Sequence, residues 1–130
     1  MNSIVRIWSV SLLVVLGLIA VVTTTASQSG DSARGEKRFE ECASCHSVAA
    51  GENGVGPSLH GIINRKAASI EDFRYSPAMR NSGLTWTPEN LDTFIADPQM
   101  LVPANRMAYA GLTEAAERAD LIAYLQQATK

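Results

Sequence analysis

Two cysteines and a histidine stand together in the sequence and could attach a cofactor. Cys42 and Cys45 are separated by two residues, His46 follows directly, and the chain has no other cysteine. Two thiols at this spacing followed by histidine form the attachment signature of c-type haem. In one helical turn both sulfurs face the same side and can each bond one vinyl-derived carbon of a porphyrin, while neutral imidazole is a standard iron ligand. The pattern predicts one covalent haem c, with its iron.

Three other uses of this pattern have to be weighed against haem. A dithiol exchanger shares the two-cysteine spacing, but it usually accompanies a βαβ pattern, which this sequence lacks. A zinc site needs four ligands, and the only further cysteine or histidine is His60. A disulfide across two residues would be strained and would stabilise little. Haem attachment is therefore the favoured interpretation.

The ligand in the sixth iron position decides what such a haem does. A strong ligand closes the iron and leaves electron transfer, whereas an open position permits gas binding or peroxide chemistry. The candidates in the sequence are Met79, Met100, Met107 and His60. A methionine also commonly fills gaps in a core, so each candidate has a structural alternative. Met107 stands out because it ends a loop just before the last expected helix.

Helices and long loops must position these residues, since no stretch shows the alternation typical of a strand. A first helix is expected over residues 34–45, capped by Asp31 or Ser32. A second begins at Thr87-Pro88 and stops before Pro98. A third runs from Thr113-Glu114 to about residue 128, with a short turn at 70–73. The irregular segments 48–69, 74–85 and 99–112 are long for a compact domain, which suggests that they wrap around a ligand.

The amino-terminal residues 1–26 are predicted to be a signal peptide or an N-terminal membrane anchor. Arg6 is the only charge before Asp31, and an apolar stretch and small residues follow it. The 24 uncharged residues from Ile7 to Gly30 are also long enough to span a bilayer. Either reading sends the rest of the chain to the periplasm. Residues 27–33 are predicted to be a linker and 34–130 a single domain.

Charge and composition narrow the function classes. The chain has 11 basic and 13 acidic residues with no basic stripe, which argues against nucleic-acid binding. Beyond residue 26, 43 hydrophobic residues remain and 16 of them are alanine. The remaining large apolar side chains are few for the hydrophobic core of a domain of about 100 residues. An internal cofactor would supply the missing apolar interior.

Six motifs together make the chain resemble small class I cytochromes c of the mitochondrial-like branch, over about residues 34–130. The motifs are Cys42–His46, Gly56–Gly61, Tyr75–Met79, Gly83–Trp86, Pro103–Met107 and Asp120–Leu125. The resemblance implies an all-α cytochrome c fold, with three to five helices and long loops wrapped around one covalently attached haem. It also implies that Gly35 and Phe39 lie where the first helix crosses the last.

The resemblance assigns roles to further residues. It implies Met107 as the sixth ligand, with Met79 as the main rival. It implies that the Pro57 carbonyl accepts the ring N–H of His46 and so fixes the imidazole. Tyr75 and Trp86 are expected to donate to a haem propionate, and Arg65 to offset its charge.

The function implied by the resemblance is one-electron transfer between respiratory complexes, without catalysis. A quinol–cytochrome c oxidoreductase is the expected donor and a terminal oxidase the expected acceptor. The protein is expected to be a monomer, to bind no nucleic acid, and to meet a membrane only if residues 1–26 are retained. The alternative is a haem c sensor or peroxidase-like enzyme whose sixth position opens.

Five positions depart from the pattern of that branch. Phe94 replaces a tyrosine and Met79 an asparagine, which makes the buried network less polar. Glu41, Gln99 and Arg106 stand where lysines often surround the exposed haem edge, and only Arg106 keeps the charge. Long-range steering toward an acidic partner is therefore expected to be weak.

Overall fold

The computed structural model describes residues 29–130, and this part is helical. Its helices are α1 (Ser32–Ala43), α2 (Pro77–Asn81), α3 (Pro88–Ala96), α4 (Pro98–Leu101) and α5 (Ala115–Ala128). Over the same residues the only β pairing is an isolated antiparallel bridge between Lys66 and Thr85. The all-α prediction is confirmed, and the number of helices lies within the expected range.

The two helices that the sequence interpretation did not include are short. Both α2 and α4 begin with a proline at the first position, which suits the fixed φ of that residue. The Ser76 hydroxyl accepts the Met79 amide N–H at the start of α2. The Asp97 carboxylate accepts two amide N–H groups at the start of α4. Local capping therefore creates single turns inside the segments expected to be loops.

The amino-terminal boundary of the folded part differs from expectation. Helix α1 begins at Ser32, with Asp31 as its N-cap, so the predicted linker 27–33 is partly helical. A Cβ on Gly30 would lie 1.9 Å from the carbonyl oxygen of Ala119, which shows how closely this residue approaches α5. The Asp31 amide donates to the Asp120 carboxylate at 2.6 Å. These contacts hold residues 30–33 against α5.

Residues 1–28 lie outside the described part of the structure. The predicted signal peptide or anchor over 1–26 falls on them and stays a prediction. Between residues 29 and 130, no helix is long and apolar enough to cross a membrane.

Helices α1 and α5 cross in close contact. A Cβ on Gly35 would lie 2.0 Å from the Asp120 carbonyl oxygen and 2.8 Å from Tyr124 Cβ. The rings of Phe39 and Tyr124 pack with their centroids 5.2 Å apart. Glycine is needed because the two backbones leave no room for a side chain. The expected crossing of the first and last helices is confirmed.

The rest of the core lies between α3, α5 and the loops. Helix α3 buries three apolar side chains and α5 three more. The full set of buried hydrophobic residues is Phe39, Ile62, Trp86, Leu91, Phe94, Ile95, Val102, Leu112, Leu121, Ile122 and Leu125. A single core of this kind supports the loops that carry the candidate site.

An ion pair between the exposed Arg34 and the buried Asp120 joins the two crossing helices. The Arg34 guanidinium donates to both oxygens of Asp120, at 2.6 and 2.9 Å. This hydrogen bonding to Arg34, together with the Asp31 amide, holds the pKa of the Asp120 carboxyl below its usual value. A depressed pKa in the folded state means that the pair stabilises the protein above the unfolded-state pKa, which is about 3.9. That contribution is lost as the pH falls through the folded-state pKa.

We therefore expect Asp120→Asn to reduce the loss of stability between pH 5 and pH 2, which is roughly the range over which native carboxylates protonate. The measurement is the urea midpoint of unfolding at several pH values. Glu71→Gln is the control, because it removes an exposed carboxylate outside the helix crossing. Identical pH dependence in the wild type and Asp120→Asn would contradict the prediction.

Candidate functional site

The two cysteines and His46 lie on the turn that ends α1. The amide N–H groups of Cys45 and His46 both donate to the Cys42 carbonyl, at 3.0 and 2.9 Å. Both cysteine side chains are half-buried, and no disulfide joins them. This tight turn holds the two sulfurs and the imidazole on one short piece of backbone, as covalent attachment and ligation of one porphyrin require.

The environment of Cys42 argues against the alternatives to haem. Burial, with smaller contributions from the nearby Glu41 and Cys45, raises the pKa of its thiol to about 11. A dithiol exchanger works through a thiolate and needs a lowered thiol pKa, so this environment argues against dithiol exchange. In the part of the chain that the structure describes, no group of three or more histidine, cysteine, aspartate or glutamate residues could hold a metal ion.

The imidazole of His46 is oriented by the loop that follows it. Its Nδ1 lies 2.7 Å from the Pro57 carbonyl oxygen. A carbonyl can only accept a hydrogen bond, so Nδ1 carries a proton, and a neutral ring with this tautomer has its lone pair on Nε2. An imidazole prepared in this way is typical of metal-ligating histidines. The structure thus brings together His46 and Pro57, which the sequence interpretation paired.

Gly56 forms the surface on which the His46 ring packs. A Cβ at this position would lie 2.3 Å from His46 Cε1 and 2.7 Å from both ring nitrogens. The sequence interpretation assigned a role to Pro57 but none to Gly56, the residue before it. Any side chain here would push the ring away from its hydrogen bond with Pro57.

We expect Gly56→Ala to lower the free energy of unfolding by about 1–3 kcal/mol, as overpacking of close contacts does. We also expect a smaller fraction of purified protein to carry haem, because the ring must tilt. Chemical denaturation and the ratio of haem to protein measure the two effects. Val55→Ala is the matched control, since the neighbouring Val55 side chain is 82% exposed. Equal haem content and stability in both variants would contradict this prediction.

A second group of predicted site residues meets through backbone pairing. The Trp86 amide donates to the Arg65 carbonyl at 2.8 Å, and the Asn64 amide donates to the Trp86 carbonyl at 2.9 Å. Trp86 is buried and its ring packs against Phe94, with centroids 4.9 Å apart. This pairing holds segments 64–67 and 84–86 side by side.

The guanidinium of Arg65 is partly buried and incompletely satisfied. It donates to the carbonyls of His60 and Ser58, at 2.5 and 2.9 Å. Its Nε–H is buried and has no hydrogen-bond partner among residues 29–130. Burial lowers the pKa of this group, yet a guanidinium stays protonated in proteins. A carboxylate, such as a haem propionate, would satisfy the buried Nε–H of this half-buried cation.

Tyr75 lies within electrostatic reach of Arg65. Burial raises the pKa of its hydroxyl, while a backbone hydrogen bond with Ile70 and the positive charge of Arg65 oppose that rise. The hydroxyl therefore keeps its proton at neutral pH and remains a donor. The Arg80 guanidinium donates to the Tyr75 carbonyl at 2.5 Å and supports this part of the loop. Arg65, Tyr75 and Trp86 are the three residues that the sequence interpretation assigned to a propionate.

The four candidates for the sixth ligand differ in their burial. Met100 is 67% exposed and His60 is exposed, whereas Met79 and Met107 are half-buried and pack against the core. The Met107 amide donates to the side-chain oxygen of Asn105 at 2.8 Å. Asn105 was not among the predicted site residues. The Pro-Ala-Asn turn was the available signal, because asparagine in turns commonly accepts a backbone N–H two residues on.

Comparisons with known proteins relate this chain to cytochromes c. Residues 32–129 match the sequence profile described as Cytochrome c. A "Cytochrome c2" of Rhodoblastus acidophilus is 48% identical over 99 residues, which cover 75% of this chain and 92% of that protein. A "Cytochrome c-type cyt cy" of Rhodobacter capsulatus is 46% identical over 101 residues, which cover 77% of this chain and only 50% of that protein. The solved structure of "cytochrome cH from Methylobacterium extorquens" superposes with a TM-score of 0.71, at 40% identity and coverage of 75% and 98%.

Proposed function

This chain belongs to the cytochrome c family, and we propose that it carries single electrons through a haem iron held between His46 and Met107. Proteins of this family attach haem c through a cysteine pair, which here is Cys42 and Cys45. The protein is an electron-transfer protein and not an enzyme. When bound, haem c supplies an iron that accepts and releases one electron.

The observation that carries this proposal is the hydrogen bond between His46 and Pro57. It fixes the tautomer with the proton on Nδ1, so that the lone pair of the neutral ring lies on Nε2, the atom that would face the iron. Because the Pro57 carbonyl belongs to the backbone, the ring cannot turn without moving the loop. A ring held in this way limits rearrangement at the metal during electron transfer.

Arg65, Tyr75 and Trp86 are proposed to bind a propionate. The unpartnered Nε–H of Arg65 and the protonated Tyr75 hydroxyl offer two donors in one region, and Trp86 lies next to Arg65 through backbone pairing. A buried charge that finds an opposite partner avoids the cost of isolation, so the propionate and Arg65 would stabilise each other. These residues would orient the cofactor and shield it from water.

Met107 is proposed as the sixth ligand. Its side chain is half-buried against the core, and its backbone is tied to Asn105. A thioether at this position favours the reduced iron and raises the potential, as a carrier between respiratory complexes requires. Met79 is also half-buried and is therefore the residue that the experiments must exclude.

Absorption spectroscopy of the purified ferric protein tests the function. We expect a weak sulfur-to-iron band in the near infrared, together with slow carbon monoxide binding to the reduced protein. A high-spin ferric spectrum with rapid carbon monoxide binding would instead indicate a haem c sensor or peroxidase-like protein. That result would overturn the proposal.

Export and partners form a separate part of the proposal. The arrangement of Arg6, an apolar stretch and small residues supports export to the periplasm, with residues 1–26 cleaved or retained as an anchor. A quinol–cytochrome c oxidoreductase and a terminal oxidase are the proposed donor and acceptor of a monomeric carrier. The intact mass of the native protein tests the first point, since it reports the covalent haem and the amino terminus. Electron transfer with purified complexes tests the second.

A further inference from the structure

Asn105 lies two residues before Met107 and is buried, with 7% of its surface exposed. Every polar atom of its side chain has a partner. The Nδ2 group donates to the carbonyls of Pro98 and Val102, each at 2.8 Å, and Oδ1 accepts the Met107 amide N–H at 2.8 Å. We call these four residues the Asn105 cluster. A buried amide that uses both ends in this way is expected to be rigid.

The Asn105 cluster connects α4 to the backbone of Met107. Pro98 is the first residue of α4 and Val102 is its C-cap, so both acceptor carbonyls belong to one short helix. Because Nδ2 donates to two carbonyls, the amide plane cannot turn, and Oδ1 stays directed at the Met107 amide N–H. We infer that Asn105 is a positioning residue, which holds Met107 so that its sulfur stays at the iron in both oxidation states. The inference rests on the proposed role of Met107 as the sixth ligand.

The backbone beside Asn105 explains why such a residue is needed. Ala104 has a φ of +65°, in the left-handed region that is unfavourable for a residue with a Cβ. The turn that contains it is closed by the Asn105 amide, which donates to the Val102 carbonyl at 3.1 Å. Without these hydrogen bonds, a turn with a positive φ at alanine would relax to a more favourable backbone conformation. The Asn105 side chain holds both ends of the segment.

The exposed Gln99 side chain hydrogen-bonds to the same loop as Asn105. It donates to the Asn105 carbonyl and accepts the Ala104 amide N–H, both at 3.2 Å. Gln99 is exposed, so water can replace these longer bonds when the side chain is removed. The buried bonds of Asn105 have no such replacement. Both side chains hydrogen-bond to the same loop, but only Asn105 should determine the position of the Met107 backbone.

The test compares the wild type and Asn105→Ala as haem-loaded proteins. Amide hydrogen exchange of Met107 is expected to become about tenfold faster or more, since one hydrogen bond of ordinary strength corresponds to about a tenfold change in an equilibrium. The near-infrared sulfur-to-iron band should weaken, and carbon monoxide should bind the reduced protein about tenfold faster. Unchanged exchange, band and binding rate in Asn105→Ala would overturn the inference.

Two further variants make the result specific. Gln99→Ala should keep the band and the slow carbon monoxide binding of the wild type; an effect as large as that of Asn105→Ala would overturn the special role of the buried amide. Asn105→Ser keeps a hydroxyl that can accept the Met107 amide, so it should restore part of the band even if Asn105→Ala folds poorly. If Asn105→Ser bound carbon monoxide as fast as Asn105→Ala, the result would contradict the positioning of Met107 through a side-chain bond to its amide.

The outcomes also separate this inference from the proposed function. A wild-type protein without the band would overturn Met107 ligation, and with it the role of Asn105 at the iron. A wild-type protein with the band, combined with an unaffected Asn105→Ala, would leave the proposed function standing and overturn only the inference.

Discussion

Replacing Met107 by alanine is expected to remove the sulfur-to-iron band and open the iron to carbon monoxide. The physical reason is that alanine has no ligating atom, and that Met100, the nearest other candidate in the sequence, is 67% exposed. We expect the reduction potential to fall by tenths of a volt, within the range of about 0.8 V over which axial ligands set haem potentials. Spectroelectrochemical titration measures the change, because it records the band and the potential together.

Two other methionines provide the controls for this result. Met79→Leu replaces a half-buried methionine by a residue of similar volume, and Met100→Leu does so at a side chain that is 67% exposed. Both variants should keep the band, and their potentials should stay close to the wild type. Loss of the band in Met79→Leu, with retention in Met107→Ala, would identify Met79 as the ligand instead.

Gly35→Ala is expected to destabilise the fold although alanine is the better helix former. Alanine in a helix interior is favoured over glycine by about 1 kcal/mol. The added Cβ, however, would lie 2.0 Å from the Asp120 carbonyl oxygen, so α1 and α5 must move apart. We expect a net loss of about 1–3 kcal/mol from this overpacking. For a domain of about 100 residues, each kcal/mol lowers Tm by roughly 4–8 °C.

Thermal and urea unfolding of the haem-loaded protein measure this loss. Lys37→Ala is the matched control, because Lys37 is exposed on the same helix and the substitution also introduces alanine. If Gly35→Ala were as stable as the wild type or more so, helix propensity would outweigh the contact, and the close crossing of α1 and α5 would be refuted.

The sequence was sufficient to predict the features that depend on neighbouring residues. The Cys42–His46 spacing predicted haem c, and the family comparisons confirm that cofactor. The end of α3 before Pro98 was predicted from the proline itself. The same local logic would have found α2 and α4, since each has a capping side chain followed by proline. The loop interpretation was favoured there because the surrounding segments are long and irregular.

Other features could not be predicted in this way because they join distant parts of the chain. The predicted linker 27–33 packs partly on α5 through a contact between Gly30 and Ala119, which are 89 positions apart. The Nε–H of Arg65 is buried and has no partner among residues 29–130, which depends on how the loops close around it. Gly56 is needed because the His46 ring lies on it.

By itself, the sequence determined the cofactor, the helical class and the family, because spacing within one turn and capping at helix ends act over a few residues. Only the tertiary structure decided which groups face each other: His46 and Pro57, Arg65 and Trp86, Asn105 and the ends of α4. These pairs form when loops close and side chains lose contact with water. Their energies therefore depend on burial and direction, which no local pattern contains.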